Sequence, residues 1–240
     1  IAWLVSLCSI GTAYAWEVPS YLRVNTGVRM WFTQIEGDLV QNDRTKLGIT
    51  ENLGTNKDKL VWEYLLNFRF DNIHLLRFRA EPSTVYESRN DSSIHLADYR
   101  LGYDLDFYMT PQLLFGANID LDLFRASTRV RGVTAARTLY NYSADSTFVN
   151  PLLGLHGTFY PIVDGIALRP NISARVNWWN YQSLETWDWE AATGVDIPIN
   201  RLWTWCINGG YRFWHMRFKS DRDTPDMNRS GFFVETSILF

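Results

Sequence analysis

The chain has 240 residues, of which 20% are charged and 15% aromatic, with 11 tryptophans and a formal net charge of −3. The length suits a single domain, since no Pro/Gly/Ser-rich linker or shift in composition divides it. So small a charge speaks against a nucleic-acid partner, which calls for a concentrated basic patch. The one uncharged apolar run of note, residues 1–16, is shorter than the about 20 residues of a membrane-crossing helix.

That run, IAWLVSLCSIGTAYA, reads as the apolar core of a secretory signal ending in the small-x-small pattern Ala13-Tyr14-Ala15, before Trp16. The expected division is a signal-peptide remnant at 1–15 and one folded domain at 16–240. Cys8 follows Leu7, where a lipid-anchor motif wants a small residue, so lipidation is not expected. Cleavage after Ala15 would leave Cys206 alone and exclude an internal disulfide.

From Leu22 onward the pattern has period two, the mark of strands with two unlike faces. Over 22–34 Leu22, Val24, Thr26, Val28, Met30 and Phe32 alternate with Arg23, Asn25, Gly27 and Arg29. The alternation returns at 60–70, where Leu60, Trp62, Tyr64, Leu66, Phe68 and Phe70 face away from Glu63, Asn67 and Arg69, and briefly at 73–82. At 95–108 Ala97, Tyr99, Leu101, Tyr103, Leu105 and Phe107 oppose Asp98, Arg100, Gly102, Asp104 and Asp106. It continues at 113–124, 149–160, 166–179, 187–197, 203–216 and 231–240. Asp71-Asn72, 110–112, 163–165 and 198–200 carry residues that tolerate tight turns. The intervening connections are mostly longer and polar, near 40–58, 86–93, 127–146 and 219–228, with a short one at 181–185. The fold class expected is all-β: a closed, antiparallel, up-and-down barrel of about ten strands.

Alternation alone does not tell a soluble barrel from a membrane barrel, so volume decides. About five large apolar residues per strand exceed what a narrow barrel interior holds at normal packing density. They must face outward, into lipid, which makes the barrel transmembrane. The other face carries small residues at mid-strand, Gly102, Gly116, Gly154, Gly194 and Gly231, as the crowded concave side requires. It also carries nearly all mid-strand charges, which there avoid the roughly 2–4 kcal/mol cost of Arg or Lys at the lipid midplane. Glu36, Asp38, Arg125, Arg217 and Lys219 fall on the other face, but near strand ends. Trp31, Trp178, Trp179, Trp187, Trp189, Trp203 and Trp205 also lie toward strand ends, and the outward-facing ones suit interfacial girdles.

The C-terminal segment SGFFVETSILF resembles the last strand of bacterial outer-membrane β-barrel proteins, with Phe232, Val234, Ile238 and Phe240 at alternate positions and Thr236 departing mildly. The resemblance implies the outer membrane as location, lipid and lipopolysaccharide as surroundings, and the barrel-assembly machinery as the partner that reads this strand. MWFTQIEGDLV followed by KLGITENLG is also similar to the first strand and loop of uncharacterised outer-membrane proteins, which implies no activity.

The candidate site is the interior charge pattern. Arg29, Arg69, Arg77, Arg79, Arg169, Arg175 and Arg212 are expected to face Asp98, Asp104, Asp106, Asp120, Asp122, Asp188 and Glu190 across the lumen. Such pairs either fill and rigidify the barrel, as in eight-stranded examples, or line a narrow channel for small polar or charged solutes. A closed barrel would act structurally or through surface loops 40–58 and 127–146. Omptin-like proteases and lipid A modifying enzymes share the architecture, and their chemistry needs a carboxylate with His converging near the outer rim. Candidates for that are His95, His215, Asp188, Asp221 and Asp223, whose neighbourhoods match no omptin motif, so no catalytic residue is assigned. No CxxC, HExxH or Gly-rich phosphate loop occurs, the four histidines are scattered, and neither a metal site nor a cofactor is expected.

Overall fold

The computed structural model describes residues 22–41, 46–48, 58–71, 73–87, 93–133, 139–162, 168–181, 184–200, 202–218 and 223–240. The signal-like segment 1–15 and the turn 163–165 therefore lie outside the described residues. Ten long strands build the wall: β1 (Arg23–Gln41), β3 (Asp58–Phe70), β4 (His74–Glu87), β5 (Ser93–Met109), β6 (Leu113–Val133), β7 (Leu139–Phe159), β8 (Arg169–Tyr181), β9 (Leu184–Pro198), β10 (Thr204–Phe218) and β11 (Asp223–Leu239). Each pairs antiparallel with its neighbours in sequence order, and β11 pairs back onto β1 from Asn25↔Leu239 to Gln41↔Asp223. The sheet is thus closed on itself, while at the upper end the β3–β4 ladder stops at Tyr64↔Ala80 and the β7–β8 ladder at Leu153↔Trp178. At the seam Val24 and Phe240 exchange backbone hydrogen bonds of 2.7 and 2.8 Å. A short β2 (Lys46–Gly48) adds to the upper end of β1, beyond the stretch that β1 shares with β3.

The connections at the lower end, where β1 starts and β11 finishes, are tight. Asp71 takes a left-handed φ of 48°, which its short polar side chain tolerates. At the next turn the Thr110 hydroxyl accepts hydrogen bonds from the N–H groups of Gln112 (3.3 Å) and Leu113 (2.9 Å). Asn200 caps the β9–β10 turn likewise, its Oδ1 accepting from Leu202 and Trp203.

The upper end corrects two expected loops. Most of 127–146 is strand, because the β6–β7 ladder runs unbroken from Leu113↔Phe159 to Val133↔Leu139. Residues 223–228 likewise belong to β11. Above the bilayer a strand no longer separates lipid from lumen, so it loses the alternation that reveals strands in sequence. Within the β4 ladder Pro82 lacks an N–H to donate, and the register shifts between Glu81 and Thr84, a β-bulge.

The two faces of the wall are unlike. Trp62 (48% exposed), Tyr103 (42%) and Ile119 (58%) point outward, as do Leu66, Leu101 and Leu121 on the same strands and Phe32, Phe78, Leu153, Val176 and Phe232 on others. Asp120, the residue after Ile119, is 0% exposed. An apolar belt on every long strand far exceeds the few hundred Å² that water-soluble monomers expose. Trp178, Trp187, Trp189, Trp203 and Trp205 are on this outer face, whereas Trp31 and Trp214 are buried in the lumen.

Candidate functional site

Inside the wall, alternate residues of all ten strands meet, and most are ionic. At the lower end Arg69 bonds one oxygen of Asp106, whose other oxygen takes His156 Nε2 at 2.6 Å. One step higher Asp104 accepts from Arg77 Nε (2.9 and 3.0 Å) and from both Nη atoms of Arg175 (3.1 and 2.7 Å). Arg77 also reaches Asp120 (2.7 Å), which Asn177 and Asn118 back at 3.2 and 3.4 Å. At mid-height Arg29 joins Glu190 (2.9 Å) to Glu235 (2.6 Å), and Arg79 adds to Glu190 (3.2 Å). Arg212 crosses from β10 to bond Asp188 twice (3.1 and 3.0 Å) and Glu63 once (2.6 Å). Arg100 completes this layer, bonded to Asp188 and lying 3.4 Å from Asp122. Asp98 is 4.0 Å from Arg100 and 3.9 Å from Arg212.

Glycine makes this density possible. A Cβ on Gly102 would sit 2.5 Å from Asp120 Oδ1 and 2.8 Å from Arg77 Nη2, and one on Gly154 would sit 2.0 Å from Asn177 Oδ1. The missing side chains are the space the ions occupy.

Above the ions the lumen turns apolar. Arg229 bonds Glu81 through two hydrogen bonds of 3.0 Å, and Thr84, placed by the β4 bulge, donates to Glu81 at 2.6 Å. The Arg212 and Arg229 guanidinium groups lie 4.7 and 4.6 Å from the Trp31 ring centre, a desolvated cation–π geometry. Trp31 Nε1 donates to the Gly231 carbonyl at 3.2 Å. Ile35, Tyr86, Ile94, Leu96, Phe124, Trp214, Met216 and Met227 pack over this layer, all buried. Phe124 and Trp214 have ring centres 5.0 Å apart.

Thirteen of the fourteen sequence-selected lumen residues, from Arg29 round to Arg212, make ion-pair contacts in this set. The other, Arg169, stands at the lower mouth, 3.7 Å over the Tyr160 ring and 3.3 Å from the Pro111 carbonyl. Glu63, Glu81, Arg100 and Arg229 were not among the selected residues, yet each is buried in the network. Glu63 and Arg100 carried the signal, a charge on the polar face of a strand; Arg229 and Glu81 sit beyond the alternating segment and within the bulge.

The carboxylate–histidine candidates do not converge. Asp188 is committed to two arginines, His95 is exposed, and His215 lies on the outer face, 2.7 Å from Asn228 and 3.7 Å from Asp226. Asp221 lies outside the described residues, and Asp223 is described only as the first residue of β11.

A sheet closed on itself, with an apolar exterior and an ionic interior, meets its backbone hydrogen bonds strand to strand and presents hydrocarbon to hydrocarbon. The molecule is a transmembrane β-barrel. Barrels of this construction span bacterial outer membranes, and that is the membrane this wall fits.

No family model matches the sequence, and no curated protein matches it. Among solved structures the chain is similar to the outer membrane protease OmpT from Escherichia coli, at 8% identity and a TM-score of 0.48, over 94% of this chain and 99% of that one. It is similar also to the outer membrane protein OprG from Pseudomonas aeruginosa (13% identity, TM-score 0.44, 91% and 95% covered). A third is the translocator domain of the autotransporter NalP from Neisseria meningitidis (13%, 0.42, 93% and 89%). These are a protease, an outer membrane protein and a translocator, and likeness at this level assigns no activity to this chain.

Proposed function

We propose that this barrel is a closed outer-membrane wall that does not conduct, and that it works through its extracellular end. The observation that carries this reading is the burial of the ionic layer: Arg212 is 1% exposed, Glu63 1%, Asp122 0% and Asp188 3%. Buried charge persists only when paired or wetted, and here carboxylates and guanidinium groups meet directly. The cap of Trp31, Trp214, Phe124 and Met216 adds an apolar seal that ions do not cross. Surface interaction falls to the β6–β7 ribbon, whose ladder continues to Val133↔Leu139 after β5 has ended its pairing with β6 at Ser93↔Arg129 and β8 its pairing with β7 at Leu153↔Trp178.

The partners in this reading are lipid and lipopolysaccharide around the belt, and the barrel-assembly machinery. Phe232, Val234 and Phe240 are exposed on the outer face of the closing strand, with Ile238 half-buried on the same face, a placement that suits recognition during assembly.

One observation favours a narrow channel for small polar or charged solutes instead. Arg69, Arg175, Glu235 and Glu190 keep 21%, 14%, 14% and 17% of their side-chain surface accessible. Single-channel recording in planar bilayers separates the two: the closed reading expects no stable conductance steps. If steps appear, the closed reading fails, and Arg77→Ala or Asp120→Ala should then change ion selectivity.

A further inference from the structure

We infer that the periplasmic mouth of the lumen binds a small oxyanion, a phosphate or a carboxylate group, on Arg23, Arg69 and Arg169. Arg23 opens β1 and Arg69 nearly closes β3, and the two are direct cross-strand partners. Like charges placed opposite each other destabilise a sheet, so the pair needs negative charge nearby. Arg69 has it in Asp106. Arg23 does not: among the described residues it forms no ion pair, and its Nε is shut off from solvent without a hydrogen-bond partner. A buried donor left unmade is costly, and an anion on the accessible end of the guanidinium would offset the opposition of the two like charges.

Arg169 arrives from the far wall. It stands at the same end of the lumen, held 3.7 Å over the Tyr160 ring, and among the described residues its hydrogen-bond acceptor is the Pro111 carbonyl. The acids at this level are turned to other groups. Asp106 is shared between Arg69 and His156, and Asp196, the cross-strand partner of Arg169, accepts from Asn171 at 3.4 Å, so two carboxylates stand against three guanidinium groups. Accessibility points the same way, since Arg69, Arg77 and Arg175 keep 21%, 11% and 14% of their side-chain surface while Asp106 and Asp104 keep none. Arg23, Arg69 and Arg169 outnumber Asp106 and Asp196 at this end, and their forked donors match the geometry of carboxylate and phosphate. The site is independent of whether the barrel conducts.

The test is calorimetric titration of the barrel in nanodiscs with inorganic phosphate and, separately, with glutarate, at ionic strength held constant by chloride. Saturable binding of one or both is expected. Arg23→Gln and Arg169→Gln should each weaken it about tenfold or more, the loss of one charge-assisted contact, while Arg125→Gln at the opposite end leaves it unchanged. Arg23→Gln should also fold at least as stably as the parent without ligand, because it removes the like-charge opposition, and should lose the stabilisation that phosphate or glutarate gives the parent. Binding of neither probe, or equal affinity in the parent and Arg23→Gln, would overturn the inference.

Discussion

Methionine in place of Arg212 would keep most of the side-chain volume and remove the guanidinium that ties Asp188 to Glu63. Three hydrogen bonds go, at 3.1, 3.0 and 2.6 Å, and two carboxylates that are almost wholly buried each lose a directly bonded cation. Taking one partner from a buried ion pair costs about 3–5 kcal/mol. Two features place the expected loss at the lower end. Asp188 keeps Arg100, and Glu63 keeps Arg29 at 3.6 Å and Arg79 at 3.9 Å. We therefore expect Arg212→Met to destabilise the barrel by about 3 kcal/mol, read as the shift in urea-driven reversible folding into lipid vesicles followed by tryptophan fluorescence. Adding Glu63→Gln should cost less than the sum of the single changes, with a coupling of about 0.5–3 kcal/mol for residues in one network. A loss below about 1 kcal/mol, the scale of solvent-exposed pairs, or strict additivity, would refute the claim that these groups are enclosed away from water.

The same folding assay checks the packing and the two faces. Gly154→Ala should lower stability by about 1–3 kcal/mol, since its Cβ would lie 2.0 Å from Asn177 Oδ1 and 2.4 Å from the Val176 carbonyl; Gly157→Ala, with nothing nearer than 3.5 Å, should be tolerated. Ile119→Arg, on the lipid face, should cost up to about 2–4 kcal/mol according to its depth. Arg125→Leu should leave the folding midpoint unchanged, because its partner Asp145, 2.8 Å away, and Arg125 itself are both well exposed.

How far the sequence reveals this molecule depends on height along the barrel. Across the bilayer the wall must separate hydrocarbon from ions residue by residue, so Ile119, Asp120, Leu121 and Asp122 alternate and the inward face can be read directly. Above it the constraint lapses. The inward positions become Trp31, Ile35, Ile94, Leu96, Phe124 and Trp214 while outward neighbours such as Gln34, Glu36, His95 and Arg125 are polar, so the alternation inverts and no longer tells lumen from lipid. The strand ends of β6, β7 and β11 are hidden too, because 127–133, 139–146 and 223–228 mix polar and apolar residues without period two.

The ionic site was legible as a set of inward charges and not as a set of partners. Pairing depends on which strands the closed sheet sets opposite each other, as when Arg212 on β10 reaches Glu63 on β3. No local spacing encodes that contact. Arg229 and Glu81 show a second limit, because Pro82 shifts the β4 register and re-aims the residues beside it. Arg169 shows a third: a charge on the inward face at a strand's first residue lies at the mouth, where it faces Asp196 across the ladder and turns to the Tyr160 ring and the Pro111 carbonyl.

Solid-state NMR polarisation transfer, from water and separately from lipid acyl chains, to the side chains of β6 in vesicles tests the central claim most directly, because it perturbs nothing. The expected result is fast transfer from lipid to Ile119, Leu121 and Leu123, with slow transfer from water to the carboxyl carbons of Asp120 and Asp122. Transfer from water to Asp120 and Asp122 as fast as to exposed Asp145 would mean an open lumen, and lipid contact missing at Ile119 would mean that the wall does not face the membrane.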